Sequence, residues 1–168
     1  MHGLASALLA LQVLILLYVA ALDIATRLIR NEVCFALALL GIASQFTGPT
    51  HLVESLVVAT LLFVLLIVAF ERGWIGGGDV KLLAALTIGL PLTGVIQLIT
   101  VTAYAGAVLA LVHLMMRRLP TPGTAPAGSS LIRRVCAVER WRHLRHAPLP
   151  YGAAIACGGV WALLSQGH

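Results

Sequence analysis

The chain has only two aspartates, Asp23 and Asp79, and each stands at the edge of a long apolar run. Asp79 follows the glycines Gly76, Gly77 and Gly78. Asp23 closes the first apolar run, ahead of Arg27 and Arg30. A carboxylate at the edge of a membrane-length helix is costly unless it is used or paired. Two carboxyl groups sharing one proton can hydrolyse a peptide bond without metal, serine or cysteine. The ionised one draws a proton from water while the protonated one hydrogen-bonds the scissile carbonyl. Two close carboxylates do not both ionise cheaply, so such a pair keeps one proton near neutral pH. Asp23 and Asp79 are therefore the candidate catalytic pair. Without Cβ atoms, the glycines before Asp79 would let an extended peptide backbone approach it. Lys81, two residues further on, would either orient the anion or extend its ammonium to the membrane interface.

Composition sets the class of the elements that must carry these residues. Of 168 residues, 60% are hydrophobic and 10% charged, and the mean hydropathy is +1.01. Soluble domains run nearer 45–50% apolar and about 25% charged. The expectation is an all-α polytopic membrane protein, one membrane-embedded domain over 1–168. Its spans are expected at about 4–22, 33–46, 52–70, 80–90, 94–116 and 151–165. The first run crosses about 28 Å as a helix, and the lack of a basic stretch before it reads as a retained span rather than a signal peptide. The fourth segment, between Asp79 and Pro91, is too short to cross unless it is tilted or buried among its neighbours. Cys34, Cys136 and Cys157 are far apart with no paired spacing, so neither a zinc site nor a disulfide framework is indicated. No metal or cofactor is expected.

The charges order the spans. All eleven Lys and Arg fall in the first loop, the third-to-fourth connection or the segment 117–150. With six crossings these lie on one face, which the positive-inside rule makes cytoplasmic, with both termini outward. Five crossings would break the segregation. Asp23, at the end of an inward-running helix, and Asp79, at the start of an outward-running one, then share one cytoplasmic depth. The segment 117–150 begins as a Pro/Gly/Ser/Ala linker and continues as an arginine-rich stretch. Leu131, Val135, Val138, Trp141 and Leu144 recur there at helical spacing. That pattern fits an amphipathic helix on anionic headgroups rather than a nucleic-acid site.

Gly76 to Leu86, GGGDVKLLAAL, resembles the GxGD motif of membrane aspartic peptidases, specifically the type IV prepilin peptidase family. Asp23 to Asn31, DIATRLIRN, is similar to that family's other signature, an Asp closing the first helix before a basic stretch and an Asn. Leu149 to Gly159 is similar to the Pro-Tyr-Gly opening of its last helix. The resemblance implies a peptidase of the bacterial inner membrane that cuts the basic leader from pilin precursors, just before their hydrophobic segment. It implies Asp23 and Asp79 as catalytic residues and Gly76, Gly78 and Lys81 as motif or substrate-binding residues. Arg30 stands where the family usually has proline. The chain looks like the compact form associated with tight-adherence (Flp) pili, for which cleavage without N-methylation is expected.

Other readings compete for the same residues. Asp23 could pair with Arg27 at a helix end, and Asp79 could be an N-cap. Glu71 would pair with Arg72, and Glu54 would be solvated or bonded locally. Gln97, Thr100 and Thr102 would bond between helices. The rival function is a non-enzymatic transport or scaffold protein using the two aspartates as a proton relay or helix contact. A transporter places ionisable groups near mid-bilayer and often carries a repeat, whereas these aspartates sit at one face.

Overall fold

The computed structural model describes residues 2–47, 51–118 and 149–166. The arginine-rich stretch lies outside them. Six helices are described: α1 (His2–Thr26), α2 (Asn31–Ser44), α3 (Leu52–Glu71), α4 (Gly77–Thr87), α5 (Leu92–Arg118) and α6 (Tyr151–Ser165). Packing divides the chain into one unit of Met1–Gly106 with Pro150–His168 and another of Ala107–Leu149.

Three helices, Gly3–Thr26, Leu52–Glu71 and Leu92–Met115, are long and apolar enough to cross a membrane; α2 and α6 are apolar but shorter. The 11 residues of α4 make only about 17 Å of helix. This shortest helix is also the most enclosed. Val80, Leu82, Leu83, Ala85, Leu86 and Thr87 are all buried, and it packs against α2, α3 and α6. A short helix need not meet lipid at both ends when its neighbours surround it. The outer helices reverse the polarity of a water-soluble fold. Leu14, Leu17, Leu61 and Leu65 face outward, while Gln12, Asp23, Gln45, Ser55 and Thr87 are buried.

With lipid outside, apolar burial supplies little drive between helices, and close van der Waals packing takes its place. Glycines make that packing possible at three seams. Gly159 of α6 receives Leu16 of α1, whose Cδ1 lies 3.0 Å from where a Cβ would stand. Gly158, on the same helix, lies against the Leu98 carbonyl and Thr102 of α5, and Gly106 of α5 receives the Tyr151 ring. Further along that seam Gln97 accepts hydrogen bonds from the Ser165 hydroxyl and, at 3.5 Å, from Gln166. These pairings run α6 antiparallel to both α1 and α5. At the third seam Gly41, in α2, meets Gly89, just past α4, backbone to backbone.

The helix ends correct several expectations. α1 continues past Leu22 to Thr26, where the Thr26 hydroxyl bonds the Leu22 carbonyl and the Arg27 N–H bonds that of Asp23. α4 starts at Gly77, not Val80, with Gly76 as its N-cap. Asp79 is thus not the cap but the third helical residue, and it reaches back to the Gly76 N–H, which satisfies an orphan donor of the first turn. Glu54 is not only locally bonded: besides His51 at 3.6 Å it accepts from the Leu92 N–H at 3.1 Å, at the start of α5. The Arg72 guanidinium stacks over Trp74, 5.3 Å from its centroid. Thr100 bonds the Ile96 carbonyl of its own helix rather than a neighbour.

Because α4 ends at Thr87 and turns at Pro91, the end of the bundle beyond it is incompletely filled. A cavity of about 510 Å³ lies there, lined by Ser6, Gln12, Gln45, Gly89, Pro91 and Gln166 among others.

Candidate active site

Asp23 is buried, 5% exposed, in the last turn of α1. One carboxylate oxygen, Oδ2, accepts from the Ala153 N–H at 3.2 Å. That donor lies in the first turn of α6, where it also bonds the Pro150 carbonyl of the N-cap at 3.3 Å, and a helix N-terminus favours an anion. The contact is close enough to exclude any side chain at the preceding residue. A Cβ on Gly152 would stand 2.8 Å from Asp23 Cγ and 3.0 Å from Ile29 Cδ1.

Asp79 enters from α4. Its Oδ2 lies 3.1 Å from where a Gly76 Cβ would stand, so the bend of its side chain toward the cap requires glycine there. The other two glycines serve different neighbours: a Cβ at Gly77 would stand 3.2 Å from the Phe70 ring and one at Gly78 3.2 Å from Ile29 Cβ. Asp79 is half-buried and stands within Coulombic reach of Asp23. Two carboxyl groups, from helices far apart in the chain, therefore share one end of the bundle, between backbone walls at Gly78 and Gly152.

Ile29 occupies the gap between those walls. The chain leaves α1 through Arg27, which has a left-handed φ of 59°, a conformation that costs a non-glycine residue about 1–2 kcal/mol. Residues 28–30 then run as irregular backbone to α2. Leu28 and Arg30 point outward, and only Ile29 turns in against the core. Arg30 pairs with Glu32 at 3.2 Å, with both side chains exposed.

Lys81 is directed elsewhere. Its Nζ donates to Asn31 Oδ1 at 3.0 Å, tying the first turns of α4 to the start of α2. Among the described residues no group of three or more His, Cys, Asp or Glu is arranged to hold a metal ion.

Comparison with known families bears on the same residues. A family model described as the type IV leader peptidase family matches residues 10–111. The chain belongs to that family. No curated protein and no solved structure matches it. The matched span takes in Asp23, Gly76, Gly78, Asp79 and Lys81 but stops before α6. In this leader peptidase family member the Asp23 carboxylate is nevertheless held by α6, through Ala153 and over Gly152. Sequence reasoning marked Gly152 only as part of the Pro-Tyr-Gly opening and did not place Ala153 or Ile29 at the site. Gly152 carried a usable signal, a small residue in the first turn of an apolar helix. Ile29 carried none, since one isoleucine in a polar connection looks like any other apolar residue there.

Proposed function

We propose that this protein is an aspartic endopeptidase that removes the leader of Flp-type pilin precursors at the cytoplasmic face of the bacterial inner membrane. Asp23 and Asp79 share one proton. The ionised carboxylate takes a proton from the attacking water, and the other donates a hydrogen bond to the scissile carbonyl as the tetrahedral species forms. The observation that carries this reading is the convergence of the chain's two aspartates at one end of the bundle, within range of each other's charge. The glycines support it, because Gly76 and Gly152 let the two carboxyl groups pack directly against backbone. Charge segregation in the loops puts that end at the cytoplasmic side, where a basic leader emerges. The arginines of 117–150 are assigned to anionic headgroups by their sequence pattern alone.

The test is cleavage of a co-expressed pilin precursor by wild type, Asp23→Asn and Asp79→Asn, with membrane abundance quantified in parallel. Each variant should accumulate normally and lose cleavage by at least about 10³-fold, the scale on which members of a catalytic unit act. Full cleavage by either variant sinks the two-aspartate mechanism. Loss of the protein itself favours the helix-contact role.

A further inference from the structure

Ile29 packs between Gly78 and Gly152, the glycines next to the two carboxyl groups. Gly78 precedes Asp79, and Gly152 precedes the residue whose N–H holds Asp23. A Cβ at either glycine would lie 3.0–3.2 Å from Ile29 atoms, so the isoleucine fills the gap to contact. It gets there because Arg27 reverses the chain in a left-handed conformation and turns Ile29, alone among residues 28–30, inward. Ile29 is only partly buried and stands beside Asp23 at Gly152, where a side chain flanking the scissile bond of a bound peptide would meet it. The wall is apolar, and of the two flanks of the cut only the mature side begins a hydrophobic segment.

We propose, resting on the peptidase reading above, that Ile29 sets the size of the substrate residue immediately after the cut. It is a specificity residue that touches substrate, not one that takes part in proton transfer. Shortening it opens space directly between Gly78 and Gly152; enlarging it closes that space. Discrimination of this kind by one carbon in an apolar pocket amounts to about 10–200-fold in kcat/KM.

The experiment crosses full-length wild type, Ile29→Val, Ile29→Ala and Ile29→Phe, in membranes, with a precursor carrying Ala, Leu, Phe or Trp at the first position after the cut. Initial cleavage rates and enzyme abundance are read together. Ile29→Ala is expected to move the Trp-to-Ala preference upward by at least about tenfold, Ile29→Phe to move it downward, and Ile29→Val to fall between wild type and Ile29→Ala. The conservative Val variant keeps the test informative if Ala or Phe disturbs folding. The same preference in every variant, or a uniform fall for all four precursors, makes Ile29 a packing residue and overturns the proposal. Wild type that cleaves none of the precursors removes the peptidase reading and the proposal with it, an outcome distinct from unchanged preferences in an active enzyme.

Discussion

Asp23 is positioned by what surrounds it more than by its own helix. The Ala153 N–H that holds it and the bare Gly152 beside it both come from α6. A methyl group at Gly152 would meet the carboxyl carbon itself at 2.8 Å, and a carboxylate fixed to a backbone donor has little freedom to give way. Gly152→Ala should therefore displace Asp23 and reduce precursor cleavage by about 10–100-fold, in line with the cost of sub-ångström misplacement of a reacting group, while the protein still reaches the membrane. Gly78→Ala is the milder change, because its new methyl meets the Ile29 side chain at 3.2 Å and a few tenths of an ångström relieve it. Comparing cleavage by the two variants at equal abundance checks the order. The two aspartates were legible from rarity and placement alone. Ile29 was not, because nothing in its local sequence separates a side chain turned inward from one turned out.

Between elements, α2 and α4 are fastened at both ends. Lys81 bonds Asn31 at the site end, and Gly41 meets Gly89 at the other. Matched ends make the two helices parallel, with α3 returning the chain between them. At the Lys81 end the bond is exposed and contributes no more than about 1 kcal/mol. The glycine end is less forgiving, since an added Cβ on Gly89 would stand 2.7 Å from the Gly41 Cα, an atom that moves only if the helix moves. Gly89→Ala should lower stability by about 1–3 kcal/mol through overpacking, read as a fall in Tm of the detergent-solubilised protein. An unchanged Tm would mean the seam opens freely. Element existence was legible from apolar run lengths, while the start of α4 was misplaced by three residues. The carboxylate of Asp79 extends that helix backwards by satisfying the Gly76 N–H, a side-chain event that hydropathy does not register.

At the scale of the molecule, the described part of α1 and α3 turns leucines such as Leu14, Leu17, Leu61 and Leu65 outward, while Gln12, Gln45, Ser55 and Thr87 are buried. That arrangement suits a hydrocarbon surround and leaves charge as the only guide to sidedness. The connections next to the aspartates carry Arg27, Arg30 and Arg72; those from α2 to α3 and from α4 to α5 carry no arginine or lysine. In a background with Cys34, Cys136 and Cys157 replaced by serine, Thr47→Cys should react with a membrane-impermeant thiol reagent added from outside. Thr26→Cys, near Asp23, should react only after the membrane is opened. Reversed labelling would put the aspartates on the outer face and remove the cytoplasmic leader from reach.

By itself the sequence determined the helical class and the approximate helices, and it singled out Asp23 and Asp79 as a candidate pair. Each of these follows from local or summed quantities, the length of apolar runs and the side on which charges fall. The family resemblance added a proposed chemistry to that frame through motifs lying in single stretches. Only the tertiary structure decided that α6 holds Asp23, that Lys81 bonds Asn31 and that Ile29 stands between the glycines. Those facts depend on which helix faces meet across as many as 130 residues of chain, and shape complementarity between distant surfaces leaves no periodic trace in either one.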